Sequence, residues 1–278
     1  MLRNTFCHIP GIGLRTEKLL WSEGVLSWHD VLHGRLEGFP PRRVEIIQRT
    51  LEESLEALDR DDVRYFYNAL PASEHWRLFG AFRHVAAYLD IETTGLGGPD
   101  DYVTVVGVHD GSRVHHYIQG ENLGEFASDV RAFKLLVTYN GKRFDLPFIR
   151  AFMGVELPQP HVDLMFVLRA MGYRGGLKGC ERQLGIDRGN LAGVDGFFAV
   201  LLWYEYLERG DRAALDTLLA YNAVDVINLE TLAVLAYNMK LQETPFSRTH
   251  ALPLPAPIPL PCQPDETLIA RIRERYGG

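Results

Sequence analysis

Tyr88-Leu89-Asp90-Ile91-Glu92-Thr93-Thr94-Gly95-Leu96 is the stretch on which the reading of this chain turns. It continues an apolar run, Val85-Ala86-Ala87-Tyr88-Leu89, whose length fits a buried strand. Side chains two apart on a strand point to the same face, so Asp90 and Glu92 stand side by side. Two adjacent carboxylates repel, and burying either one unpaired costs several kcal/mol. A divalent cation bound by oxygen ligands removes that cost. A strand end whose acids meet solvent removes it equally well, so the stretch alone leaves both readings open.

The chain has 278 residues, 46% hydrophobic and 23% charged, an ordinary composition with material for a sizeable core. No long apolar segment follows Met1, and no run approaches 18 apolar residues, so neither a secretory signal nor a membrane span is expected. Three cysteines, Cys7, Cys180 and Cys262, lie far apart and outside any C-x-x-C spacing. That argues against a disulfide framework or zinc site and fits a reducing, cytoplasmic setting. The net charge of −7 weighs mildly against nucleic-acid binding. Acids that hold cations would account for part of it. Residues 169–188 run the other way: Arg169, Arg174, Lys178, Arg182 and Arg188 face only Glu181 and Asp187. This is either a phosphate-facing patch or a solvated helix face.

Four segments are expected. Residues 1–80 read as a helical N-terminal section. It begins with the turn Ile9-Pro10-Gly11-Ile12-Gly13 and a helix that Thr16 can cap. The turn partly resembles the hairpin of helix-hairpin-helix elements, which hold a phosphate on backbone N–H groups, or it is a packing turn. Val44–Leu58 has the spacing of an amphipathic helix. Residues 85–241 read as one α/β unit. Tyr102–His109 and Arg113–Ile118 form a hairpin about Asp110-Gly111, and a helix is expected over 121–133. The histidines at 109, 115 and 116 fit exposed or packed positions better than ligands. Leu135–Tyr139 is a short buried strand leading into Asn140-Gly141-Lys142-Arg143-Phe144-Asp145-Leu146-Pro147. Asp145 there either caps the helix begun by Pro147 or serves the site. Residues 161–170 form a helix or strand–helix junction carrying Asp163. The late helix 211–241 puts Tyr221 and Asp225, four apart, on one apolar face. Seven prolines between 245 and 264 mark an extended linker, and 265–278 is a tail with a short helix.

Asp90-x-Glu92, then Asn140-Gly141-x-x-Phe144-Asp145-x-Pro147, then Tyr221-x-x-x-Asp225 resembles, in order, the three exonuclease motifs of the DEDD superfamily in its tyrosine variant. The second motif is similar to that of the proofreading domain of family B DNA polymerases. The chain as a whole resembles the bacterial stand-alone ribonuclease-H-like exonucleases called YprB-like. The resemblance covers residues 85–241. It implies an α/β, ribonuclease-H-like fold: a mixed five-stranded sheet with helices on both faces, plus the small α-helical N-terminal section. The site is expected at an edge of the sheet's carboxyl side. It also implies a metal-dependent 3′–5′ exonuclease using two divalent ions, Mg²⁺ or Mn²⁺, about 3.5–4 Å apart. Asp90 would contact both ions, Glu92 and Asp225 would hold the one that generates the nucleophile, and Asp145 would support the other. Tyr221 would orient the attacking water as a hydrogen-bond donor, since a free phenol has a pKa of about 10. Thr93, Thr94 and Gly95 would approach the terminal nucleotide, Leu96 would pack on its base, and Asn140 and Phe144 would contact or support the substrate. The implied partner is a single-stranded 3′ end of DNA or RNA, presented by the N-terminal section or by a DNA-repair or RNA-processing protein. The alternatives are a non-catalytic nucleic-acid-binding module on this fold and an endonuclease acting on hybrids.

Overall fold

In the computed structural model, which describes residues 1–276 except Arg35 and Glu37, the opening stretch is a strand, β1, Ala86–Thr93. Its side chains alternate as the period of two requires. Ala87, Leu89 and Ile91 enter one apolar cluster, and Ala86 and Tyr88 enter another on the opposite face. Asp90 and Glu92 continue the second face. β2 (Val103–His109) and β3 (Val114–Ile118) form the expected antiparallel hairpin, with Asp110 accepting the Ser112 and Arg113 N–H groups at its turn. β4 (Leu135–Thr138) and β5 (His161–Asp163) add parallel strands on the other side of β1, giving the order β3-β2-β1-β4-β5. This is the mixed five-stranded sheet. β1 is its middle strand, because the hairpin folds back to one side and the parallel crossovers go to the other. Asp90 and Glu92 therefore lie at the carboxyl end of the central strand, and the expected edge position is corrected.

The N-terminal section is helical: α1 Leu14–Ser22, α2 Trp28–Leu32, α3 Pro41–Asp59, α4 Val63–Ala69 and α5 Arg77–Phe82. α1 begins two residues before Thr16, with Gly13 as its N-cap. In the turn before it, Ile9 and Ile12 are buried and the Arg43 guanidinium donates to the Pro10 carbonyl. A buried ion network fastens this turn to α5. Glu17 accepts the Phe6 and Cys7 N–H groups at 2.6 and 3.0 Å, and Arg77 bridges Glu17 and Glu74. Removing one member of such a network leaves an uncompensated buried charge, at a cost of about 3–5 kcal/mol.

The helix expected over 121–133 is broken into short pieces, with only Phe126–Asp129 (α6) α-helical. α7 (Asp145–Met153) follows β4 and covers the Ala87/Leu89/Ile91 face. α8 (Leu164–Ala170) follows β5, so residues 161–170 are the strand–helix junction. α9 (Gly176–Leu184), α10 (Gly196–Arg209) and α11 (Arg212–Leu241) come next, and Asp195 and Asp211 cap the last two with side-chain bonds. α11 crosses the other face against β1 and β2. It is long and apolar enough to cross a membrane, but 78% of its most apolar stretch is buried in the core. Its approach depends on Gly107, opposite Asp90 in β2, where any Cβ would collide with the Asn222 side-chain oxygen. Residues 251–264 form no helix or strand, and α12 (Glu266–Tyr276) buries Leu268, Ile269 and Ile272 beside α10 and α11.

Candidate metal centre

β1 and α11 meet at three carboxylates. Oxygens of Asp90, Glu92 and Asp225 lie within 4.8 Å of one another, and among the described residues this is the one group of acids, histidines or cysteines so compact. The donor set is all oxygen, which suits a hard divalent cation. Glu92 and Asp225 are buried, and Asp90 keeps part of its surface open to a cavity of about 300 Å³. Tyr221, one turn before Asp225 on α11, lines the same cavity, as do Lys178 and Gly175 opposite.

Asp145 reaches the cluster from another side. β4 pairs with β1 only at Ala86–Tyr88, so β1 runs past it, and there the Ile91 N–H comes close enough to the Asp145 carboxylate to help lower its pKa. Asp145 is the first residue of α7. The cap expected of Asp145 is corrected: the N-cap is Phe144, with no side-chain cap bond, and the Asp145 carboxylate instead acts on the cluster, where its charge raises Asp90.

Without a cation these acids carry a penalty. Burial, then the charges of Asp225, Asp145 and Glu92, lifts Asp90 well above the carboxylate range. Burial and Asp225 push Glu92 up to about 8, against the opposing pull of the Asn222 hydrogen bond and Lys178. Burial pushes Asp145 up to about 7, although nearby backbone N–H groups hold it down. Mutually repelling, desolvated carboxylates of this kind favour bound positive charge beyond what Lys178 and Arg188 supply. The donor chemistry and the burial fit a bound divalent cation, with Asp90, Glu92 and Asp225 as its ligands and Asp145 beside them.

Four groups that motif spacing did not single out complete the site. Lys178 on α9 donates to the Tyr221 hydroxyl and lies 4.5 Å from its ring centroid, and burial lowers its pKa. Burial, Asp225 and Glu92 hold the Tyr221 phenol far above the ordinary tyrosine range, so it stays protonated. Asn222 donates weakly to Asp90 and Glu92 at 3.3 and 3.4 Å. Arg188 hydrogen-bonds Glu181 at 2.9 Å, and the same Nη1 makes an ion-pair contact with Asp225 Oδ1 at 2.6 Å, an oxygen that is buried without a hydrogen-bond partner. Two of the five cations in the 169–188 segment therefore turn inward onto the site, while Arg169, Arg174 and Arg182 stay exposed. The charge count held the only hint of Lys178 and Arg188, and nothing in the local pattern distinguished them from the others. Asp163 at the end of β5 accepts the Asn140, Lys142 and Met165 N–H groups, and so fixes the turn that leads to Asp145.

The residues expected around the substrate divide. Thr93 donates to the Gly95 carbonyl, and Thr94 pairs with Tyr102, so both hold the loop after β1. Gly95 is needed because a Cβ would strike Asp101, which itself accepts the Gly97 and Gly98 N–H groups. Leu96 is 92% exposed and, with Phe144 and Phe148, lines a second cavity of about 500 Å³. Asn140 adopts a left-handed backbone, φ +66°, in the Asp163-bound turn. Of the hairpin histidines, His109 pairs with Glu230 and His115 with Asp110, while His116 Nε2 is buried without a hydrogen-bond partner.

An RNase H superfamily model matches residues 87–237, more than half of the chain, and the chain belongs to that superfamily. It is similar to the uncharacterized protein YprB of Bacillus subtilis (strain 168), 27% identical over 186 residues. The match takes in 59% of this chain and 45% of that protein, so the chain spans less than half the relative's length. Among solved structures it is similar to a family B DNA polymerase from the archaeon Pyrobaculum calidifontis, at 19% identity and TM-score 0.43, covering 60% of this chain and 27% of the polymerase. It is also similar to Brucella melitensis NrnC bound to pGG, at 22% identity and TM-score 0.39, covering 61% of this chain and 79% of NrnC.

Proposed function

We propose that this chain is a metal-dependent 3′–5′ exonuclease that hydrolyses phosphodiester bonds of DNA or RNA. The observation that carries the reading is the convergence of Asp90, Glu92 and Asp225 within 4.8 Å at a cavity that Tyr221 also lines. The ligands would hold Mg²⁺ or Mn²⁺, two ions with Asp145 included. When bound, such ions lower the pKa of water and offset charge on the phosphate.

The chain's own residues do the rest. Tyr221 remains a neutral phenol. Lys178 donates to its oxygen, which leaves the phenolic hydrogen free to direct toward an attacking water. Lys178 itself offers positive charge at the cavity wall to a phosphate that Asp90 and Glu92 would otherwise repel. The cavity of Leu96, Phe144 and Phe148, which Arg143 and Asp101 also line, suits a terminal nucleotide, and Thr93, Thr94 and Gly95 shape the loop between it and the cluster. Asn140 supports the turn that delivers Phe144 and Asp145. In this reading residues 85–241 are the catalytic unit, 1–80 a separate helical section that helps present the end, 245–264 a linker and 265–278 a tail. The free cysteines suit a cytoplasmic setting.

The test is digestion of matched single-stranded DNA and RNA, labelled at the 3′ or the 5′ end, with Mg²⁺, Mn²⁺ or chelator. Stepwise loss from the 3′ end that stops with chelator is expected. Opening of a circular substrate would instead indicate an endonuclease, and binding without cleavage in either metal a non-catalytic module.

A further inference from the structure

Asp225 already has a cation on it. Arg188 follows α9 by four residues, and its Nη1 lies 2.6 Å from Asp225 Oδ1. The same nitrogen bonds both oxygens of Glu181 at 2.9 Å. Glu181 is buried and accepts from Asn228 at 2.8 Å, and Asn228 is one turn beyond Asp225 on α11. The arginine is thus tied to the helix that carries Asp225 from both ends of the network. Its side chain is 8% exposed. Two of its donors, Nε and Nη2, are buried without a hydrogen-bond partner. A buried guanidinium with unfilled donors is an expensive way to cap one carboxylate. Glu181 alone would neutralise it. Its contact with Asp225 is therefore a second, separate use of the charge.

We infer that Arg188 is a built-in counter-cation that holds Asp225 in place and weakens the affinity of the acidic cluster for its divalent ion. This rests on the reading of Asp90, Glu92 and Asp225 as metal ligands. The physical reason is direct. A divalent ion at the cluster draws on the carboxylate that Arg188 engages, in a buried setting where like charges repel over several ångströms with little screening. Arg188 is a positioning residue: it acts on the metal through Asp225.

The experiment is titration of Mn²⁺ into the whole chain, read by calorimetry, with no substrate present. Arg188→Gln is expected to bind Mn²⁺ at least about tenfold tighter than the native chain, because a full positive charge beside the ligand is gone. The double variant Glu181→Gln/Arg188→Gln removes both buried charges together, and it is expected to show the same gain with its fold intact by circular dichroism. Arg188→Lys keeps the charge and is expected to return affinity toward the native value. Equal or weaker binding in both glutamine variants overturns the inference. Asp225→Asn separates the two levels. If it loses Mn²⁺ binding while the glutamine variants gain none, only the role of Arg188 fails. If it binds like the native chain, the metal-ligand reading fails and this inference with it.

Discussion

Glu92 is predicted to make the cation-free chain less stable as pH rises, which is the reverse of an ion-paired acid. Its folded pKa is pushed from the usual 4.5 up to about 8, by burial first and then by Asp225. The folded state therefore holds a proton that the unfolded state gives up. Stability is fully present below the unfolded value and is lost as pH rises toward the folded one. Between pH 4.5 and pH 7 that is 2.5 pH units at about 1.4 kcal/mol each, or about 3 kcal/mol. In a chain of this length the loss lowers the melting temperature by about 5 °C. The assay is thermal unfolding in chelator at pH 5 and at pH 7, comparing the native chain with Glu92→Gln. The variant keeps the shape and a partner for Asn222 but has no carboxyl proton to lose. It should be nearly equal to the native chain at pH 5 and more stable by about 3 kcal/mol at pH 7. Saturating Mn²⁺ should remove the native chain's disadvantage, adding about 4 kcal/mol at a thousandfold excess over the dissociation constant. A native-minus-variant difference that does not change between the two pH values would refute the reasoning, because the burial and repulsion assigned to Glu92 would then be absent.

Three further outcomes are expected. Asp225→Asn should lower nucleolytic turnover by at least about 10²-fold and abolish Mn²⁺-dependent stabilisation; retained cleavage in a clean preparation would remove Asp225 from the site. Lys178→Met should leave the chain folded and reduce kcat by about 10–100-fold, since it removes both the cavity-wall charge and the Tyr221 contact, and single-turnover rates measure this. Gly107→Ala should cost about 1–3 kcal/mol in urea unfolding and lower activity in parallel, because its Cβ pushes Asn222 and α11 away from β1.

The period of two in residues 85–92 and the i, i+4 spacing of Tyr221 and Asp225 were legible in the chain, because both follow from local backbone geometry. The hairpin, the Asn140–Pro147 turn into a helix and the helical N-terminal section could be read for the same reason. Residues 121–133 could not: their composition is helical, yet only four of them form α-helix. Nor could the place of β1 in the middle of the sheet, which depends on which side each later strand joins.

For Asp90, Glu92, Asp145 and Asp225, the sequence by itself determined the residue types and the order in which they occur. Each still had a complete local explanation, as a wet strand end or a helix cap. Only the tertiary structure decided that β1, α7 and α11 converge, because burial and charge repulsion are properties of distances between segments more than 50 residues apart. The same holds for Lys178 and Arg188. In the sequence they are two members of a basic run. In the fold, α9 and the loop after it turn those two onto Tyr221 and Asp225, while Arg169, Arg174 and Arg182 stay in solvent. A charge's effect depends on what it faces and how much water lies between, and neither is written in the local sequence.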